Sequence, residues 1–278
     1  MRTLYVVGTP IGNLGDITVR AREALTSAQR VFAEDTRRTK ALLAHLGISG
    51  KIVLRHDAHA TPARIASLVS GIAVGEVVAL VTDAGMPGVS DPGAALVRAA
   101  AEGGVRVVPI PGPSAVTAAL AASGLVVGAF SFLGFLPRHG KKRRIALERI
   151  ARSEEPVVIF EAPSRLAATL RELSVPEPGR PAALCRELTK MHEEVIHASL
   201  GELAELEREW LGEVTLVLGE AVGRAKADTE EPADIDAEIA KSLAKGAHPR
   251  DLSIELARRL GVPRRTAYQR VLAVRGAR

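Results

Sequence analysis

The stretch Val81-Thr82-Asp83-Ala84-Gly85-Met86-Pro87-Gly88-Val89-Ser90-Asp91-Pro92-Gly93 decides the fold. It follows the apolar run Val77 to Val81 and opens onto the helix-like segment Ala94 to Ala101, so a strand ends in a rigid Gly/Pro loop that leads into a helix. Two further loops share this design. Leu4 to Val7 runs into Gly8-Thr9-Pro10-Ile11-Gly12-Asn13-Leu14-Gly15-Asp16, and Val105 to Ile110 runs into Pro111-Gly112-Pro113-Ser114, each before an amphipathic stretch. In open parallel α/β sheets the ligand crevice lies outside the carboxyl ends of the strands, so the three loops are predicted to converge on one site. Glycine permits close backbone approach, and proline holds a loop without needing a donor. Ordinary strand-to-helix turns also favour these residues, but three such loops at predicted strand ends favour a built site. No G-x-G-x-x-G follows the first strand and no G-x-x-x-x-G-K-[ST] occurs, so neither dinucleotide nor P-loop nucleotide binding is signalled.

Outward from that loop, apolar runs at 4–7, 31–33, 52–54, 77–81 and 106–109 alternate with helix-like stretches at 17–28, 36–46, 62–70, 94–101 and 115–122. This alternation predicts an α/β fold with a mostly parallel N-terminal sheet over residues 1–122. A second α/β domain is expected over 123–223, with a mixed sheet built from strands at 130–133, 157–160, 182–186, 194–198 and 214–218 and helices near 141–151 and 163–173. An acidic, Pro-containing linker, 224–240, separates it from a small helical tail at 241–278, where 250–260 and 264–274 read as two short helices around Gly261-Val262-Pro263 in a helix-turn-helix arrangement.

Charge is distributed unevenly. The net +5 conceals a tail, 241–278, with ten Lys/Arg against Asp251 and Glu255, while 1–240 carries a formal −3. Clustered arginines neutralise phosphates, so such a module has a physical reason to bind a polyanion, and Arg264 and Arg265 are its candidate phosphate contacts on a substrate. A solvated helical hairpin is the plainer alternative for the tail, and an exposed helix start for the basic run Lys141 to Arg144. A single cysteine, Cys185, excludes an internal disulfide framework and points to a reducing, cytoplasmic setting. The uncharged run Val107 to Pro137 is broken by Gly, Pro, Ser and Thr into strand, loop, helix, loop and strand, so no membrane insertion is expected, and no secretory signal is expected either, because Met1 to Val7 leads straight into a strand and a loop.

The segments Gly8 to Thr18, Ala33-Glu34-Asp35-Thr36-Arg37, Thr82 to Pro87 with Asp91-Pro92-Gly93, Pro111-Gly112-Pro113-Ser114, Gly134-Phe135-Leu136-Pro137 and Arg186-Glu187-Leu188-Thr189-Lys190 occur in this order. Together they resemble the ribosomal RNA small subunit methyltransferase I family, a branch of the tetrapyrrole methylase superfamily. The resemblance implies S-adenosylmethionine-dependent 2′-O-methylation of a decoding-region cytidine in 16S rRNA of the small ribosomal subunit. It also implies that the cofactor sits between the two domains and that the protein pairs as a homodimer. Backbone groups of Gly85, Met86, Val89 and Ser90, with Ser114 and Ala115 at a helix start, are the candidate cofactor grips, joined by Pro10, Asp83 and Pro87 on the same loops. A helix N-terminus offers free N–H donors to the cofactor's carboxylate. The resemblance implies that Met86 stands where relatives usually carry a small hydroxyl residue, so only backbone contacts are expected from that position.

Glu34, Asp35, Thr36 and Arg37 follow the second strand and face the same crevice. Asp35 or Thr36 as a helix cap is the plainer reading. With the resemblance, Asp35 and Arg37 are expected to act on the substrate, Arg37 on a phosphate and Asp35 orienting or deprotonating the hydroxyl. Arg186, Glu187 and Lys190 are expected to close the site from the second domain, Lys190 taking part in catalysis, although a surface ion-pair cluster would show the same residues. His56 and Asp57, after the third strand, are further substrate candidates, and no cysteine or acidic cluster completes a metal-ligand set around the histidines. A methylase of a tetrapyrrole small molecule is the alternative, with a nucleic-acid-binding regulator that uses the tail alone as a third reading.

Overall fold

The computed structural model describes residues 1–57, 59–221, 232–260 and 264–276, so the first part of the acidic linker, 224–231, and the Gly261-Val262-Pro263 turn lie outside the described residues. Residues Met1–Gly219 form one compact unit and Glu220–Arg278 another.

In the first unit, strands β1 (Thr3–Val7), β2 (Arg30–Ala33), β3 (Ile52–Arg55), β4 (Val77–Val81) and β5 (Arg106–Ile110) build a parallel sheet in the order β3-β2-β4-β1-β5. Between them run helices α1 (Val19–Ser27), α2 (Thr36–His45), α3 (Pro62–Ser70) and α4 (Gly93–Glu102). Strand side chains alternate between faces. Val7, Val31, Ala79 and Val81 therefore bury against Ala21, Leu25 and Leu43 on one side, while Leu4, Phe32, Val78 and Leu80 meet Leu68, Leu96 and Ala100 on the other. Because β4, β1 and β5 are neighbours, the three Gly/Pro loops leave adjacent carboxyl ends.

The second sheet comprises β6 (Ser131–Phe135), β7 (Val157–Glu161), β8 (Pro181–Arg186), β9 (Glu194–Ser199) and β10 (Val214–Leu218), in the order β6-β7-β10-β8-β9. Only β6 and β7 run parallel, so the sheet is mixed. Helix α5 (Ala115–Ser123) leaves the first sheet at β5 and lays Val116 and Ala119 on Val158, Ala183, Cys185 and Val217 of the second. The other face is covered by α6 (Gly140–Ala151), α7 (Pro163–Ser174) and α8 (Leu200–Glu205), through Ile150, Leu166, Leu170 and Leu200 against Ile159, Leu184 and Leu216. Helix α8 has no counterpart among the sequence expectations; a capping box between Ser199 and Glu202 starts it.

The second unit contains α9 (Pro232–Ala244), α10 (Pro249–Leu260) and α11 (Arg264–Gly276), three helices where the sequence suggested two. Helix α9 occupies the latter part of the expected linker. Its Ile235 and Ile239, one turn apart, bury against Leu256, Ala257, Ala267 and Val271, and that packing outweighs the acidic, Pro-containing composition. No helix among the described residues is long and apolar enough to cross a membrane.

Arg180 is almost wholly buried, at 1% exposure, and ties the second sheet to its helices. It donates to the carbonyls of Gly219 at 2.8 Å, Ile150 at 3.0 Å and Glu155 at 3.4 Å. Burial lowers its pKa, yet the guanidinium stays charged because its ordinary value is so high. Truncation would leave these carbonyls and a cavity behind. Arg180→Ala is expected to destabilise the protein by about 3 kcal/mol, measured as a lower urea midpoint at unchanged slope.

Candidate active site

Backbone contact locks the three loops together. A Cβ on Gly8 would fall 2.6 Å from Gly112 Cα, and one on Gly112 would fall 2.8 Å from Gly8 Cα, so the loops after β1 and β5 touch main chain to main chain. Thr9 and Gly85 exchange hydrogen bonds of 2.9 and 3.1 Å, which joins the loops after β1 and β4. Gly85 sits at φ 82°, a region open to glycine. Asp91 braces the long loop from within, its Oδ1 accepting the Gly88 and Gly93 amides at 2.7 Å each.

The loops floor a cleft of about 490 Å³ that faces the second sheet. Asp83, Gly85, Met86, Val89, Ser90, Ser114 and Ala115 line it from the first sheet, with Phe135, Phe160, Glu161 and Gly212 to Thr215 opposite. Ser114 caps α5 without a side-chain hydrogen bond, which leaves its hydroxyl and the first-turn amides for a ligand. A second cavity of about 410 Å³ adjoins this cleft, lined by Pro10, Gly12, Leu14, Arg38, Thr39, Ala41, Leu42 and Lys190. Ile11, Thr82, Asp83, Ala84 and Glu213 line both.

The remaining sequence candidates fall in several places. Glu34 lines the larger cleft and accepts from the Thr82 hydroxyl at 2.9 Å. Asp35 lines neither cavity; it caps α2, accepting the Arg37 amide at 2.8 Å, and Thr36 is the first residue of that helix. Arg37 is 91% exposed and pairs with Asp35 at 3.0 Å. Pro87 packs beside Gly93 and lines neither cavity. Buried His56 meets the Pro92 carbonyl at 3.2 Å, Asp57 pairs with Arg55, and Arg186 pairs with Glu194 at 3.0 Å, all outside both cavities. Arg264 and Arg265 are exposed on α11 of the helical unit.

Residues absent from the sequence candidates complete the walls. Arg38, one position beyond Arg37, is turned by the helix toward Asp83, 3.4 Å away. Glu161-Ala162-Pro163 ends β7 as the other loops end their strands, and that strand-end position was a readable signal. Glu161 is saturated by Thr169 at 2.7 Å, the Ala162 amide at 2.8 Å and Arg165 at 2.5 Å, so it serves as wall. Glu213 carries no motif; only pairing of β10 with β8 brings it beside Glu187 and Lys190.

Charge states follow from these partners. The Arg37 guanidinium beside Asp35 holds its carboxyl down to about 2, which makes Asp35 a poor proton acceptor near neutrality. Burial works against the Lys190 ammonium, but hydrogen bonds to Glu187 and Glu213 outweigh it and raise its pKa. Lys190 thus stays a cation, fixed by Glu187 at 2.8 Å and Glu213 at 3.2 Å. Its stem packs over Gly12, where a Cβ would collide with Lys190 Cγ, while the Asn13 amide donates to Thr189 Oγ1 at 3.0 Å. The loop after β1 is thereby clamped to the second sheet.

Residues 3–204 match the family model of the tetrapyrrole (corrin/porphyrin) methylases. The chain is 40% identical over 271 residues to the ribosomal RNA small subunit methyltransferase I of Halalkalibacterium halodurans, covering 96% of this chain and 93% of that protein. It is 42% identical to the protein of that name from Mycobacterium bovis, over 98% and 95% of the two chains. Among solved structures, uroporphyrin-III C-methyltransferase from Thermus thermophilus in complex with S-adenosylhomocysteine superposes with a TM-score of 0.55 at 22% identity, over 80% of this chain and 99% of that one. Diphthine synthase superposes at 0.58 and 20% identity, over 78% and 90%. These two likenesses show the shared fold.

Gly112→Ala is expected to cost about 1–3 kcal/mol of stability, because backbone on both sides must shift; chemical denaturation measures it. Arg37→Ala should release the Asp35 carboxyl from about 2 toward its ordinary 3.8, read by carboxyl-carbon NMR titration.

Proposed function

This chain belongs to the ribosomal RNA small subunit methyltransferase I family, and we propose that it methylates the 2′-hydroxyl of a decoding-region cytidine in 16S rRNA of the small ribosomal subunit. S-adenosylmethionine, when bound, supplies an electrophilic methyl carbon. The observation that carries this reading is the meeting of two cavities at Asp83, one suited to the cofactor and one to an acceptor.

The larger cleft fits the cofactor by its donors and acceptors. The Ser114 hydroxyl and the α5 amides suit a carboxylate, and the backbone of Gly85 to Ser90 suits the nucleoside. Asp91 Oδ2 is buried without a hydrogen-bond partner among the described residues, in the lining of this cleft, and can accept from a ligand donor. The adjoining cavity offers Leu14, Ala41 and Leu42 to a base or sugar, and the Arg38 and Lys190 cations to phosphate.

A ribose hydroxyl is a weak nucleophile, so alignment carries much of the rate and proton acceptance helps. The bound cofactor would give up its methyl group and keep the carbon–sulfur electron pair on sulfur, so what this chain must do is align the hydroxyl and take its proton. Asp83 is assigned that proton in place of Asp35, which lines neither cavity and is held at about 2; of the two carboxylates that line both cavities, Glu213 is engaged by the Lys190 ammonium at 3.2 Å, which leaves Asp83. Asp83 is itself oriented by the Asp35 amide at 3.0 Å and by Arg38 at 3.4 Å. Asp35 then acts as the cap that holds α2 in place, and Lys190, a fixed cation, acts on charge rather than on a proton.

Asp83→Asn is expected to slow single-turnover methyl transfer to small ribosomal subunits by roughly 10²–10⁴-fold while cofactor affinity, measured by calorimetry, changes by less than about threefold. Labelled methyl transfer should reach 16S rRNA or small subunits and not uroporphyrin-III. Transfer to uroporphyrin-III instead would replace this reading with the small-molecule one.

A further inference from the structure

Helix α11 has two faces and only one is used by the helical unit's core. Ala267 and Val271, with Val274 packed alongside, point inward. At 100° per residue, Arg264, Arg265, Tyr268, Leu272 and Arg275 fall together within about one third of the circumference, offset from that inward line. All five are exposed, Tyr268 by 38% and Leu272 by 40%. The helix contains no acidic residue, and its remaining arginine, Arg270, lies on a different side and pairs with Asp236 at 2.8 Å. An aromatic ring and a leucine are thus left in water between three arginines, in a segment, 241–278, that carries a formal +8.

From this stripe we infer that α11 binds an unpaired stretch of RNA, one base stacking on Tyr268 while Arg264, Arg265 and Arg275 neutralise the flanking phosphates. This rests on the proposed RNA substrate and names the conformation of RNA that the helical unit grips. Charge complementarity selects a polyanion as the occupant. The aromatic selects among polyanions, because a base presents an apolar face that sulfate or a bare phosphate lacks. It also selects unpaired over paired RNA. The deep, narrow major groove of an A-form duplex does not admit side chains to the bases, whereas an unstacked base is free to lie on an exposed ring. Leu272, one turn from Tyr268, extends the apolar platform for the sugar or a second base.

The test uses the full chain with a short single-stranded RNA, the duplex made from it and its complement, and anionic phosphatidylglycerol vesicles, each titrated across a salt series. Tyr268→Ala is expected to weaken single-strand binding by about 5- to 150-fold, with Tyr268→Phe close to the parent protein. Replacing Arg264, Arg265 and Arg275 by glutamine should lower the salt slope for the single strand by roughly 0.7 per arginine. The surface position of all four residues keeps the fold intact, as circular dichroism would check. Three outcomes overturn the inference: single-strand affinity unchanged in Tyr268→Ala, a loss in Tyr268→Phe equal to that in Tyr268→Ala, or binding of duplex or vesicles in preference to the single strand. Methyl transfer by the parent protein is measured alongside. Failure of transfer to 16S rRNA with the Tyr268 effect present would sink the proposed reaction and leave the stripe standing, and the converse result would do the opposite.

Discussion

The main-chain contact between Gly8 and Gly112 is the constraint on which the site depends. It exists because β1 lies between β4 and β5, so that its loop is squeezed from both sides, by Gly112 on one and by the Thr9–Gly85 bridge on the other. Any side chain at Gly8 would also meet Met86 Sδ 2.6 Å away. With the three loops locked in this way, the α5 N-terminus, the Gly85 turn and Asp83 keep fixed relative positions before any ligand arrives. Preorganisation of this kind is what a displacement with a weak nucleophile needs most.

The charges around the site divide into those that hold structure and those left to do chemistry. Glu161 is buried under Thr169, Arg165 and Arg143, and Arg143 is shared in turn with Glu172. Removing one member would strand a buried charge, so these groups build the wall of the cleft. Glu187, Lys190 and Glu213 form a second cluster that pins the loop after β1, with Glu187 and Thr189 held at positive φ to make the turn. Asp35 spends its acceptors on Arg37. Asp83, engaged only by the Asp35 amide and the exposed Arg38 in the described contacts, keeps capacity for a ligand.

Sequence and structure agree on the first sheet for a plain reason. Runs such as Val77 to Val81 are apolar on both faces because helices cover both, and each ends in Gly, Pro or Asp at the point where the chain leaves the sheet. Local composition was therefore enough to place the strands and to forecast a crevice at their carboxyl ends, while the family resemblance was needed to single out Gly85, Met86, Val89, Ser90, Ser114 and Ala115, which line one cleft. Helix α9 was less legible, because its acidic, Pro-containing start resembles a linker and only Ile235 and Ile239, once buried against α10 and α11, show what it is for.

The roles of the charged residues were decided by tertiary structure. In the sequence Asp35 and Arg37 stand out within a motif and Arg38 and Glu213 do not. A helix turns each successive side chain by 100°, which sends Arg37 into solvent and Arg38 to Asp83, and strand pairing across β10 and β8 carries Glu213 to Lys190. The residues by themselves determined the α/β layering, the three ligand loops and the basic character of the C-terminal helices, since each follows from local pattern. Which carboxylates stand where the two cavities meet, Asp83 and Glu213, depends on contacts between segments far apart in the chain, and no local pattern encodes those.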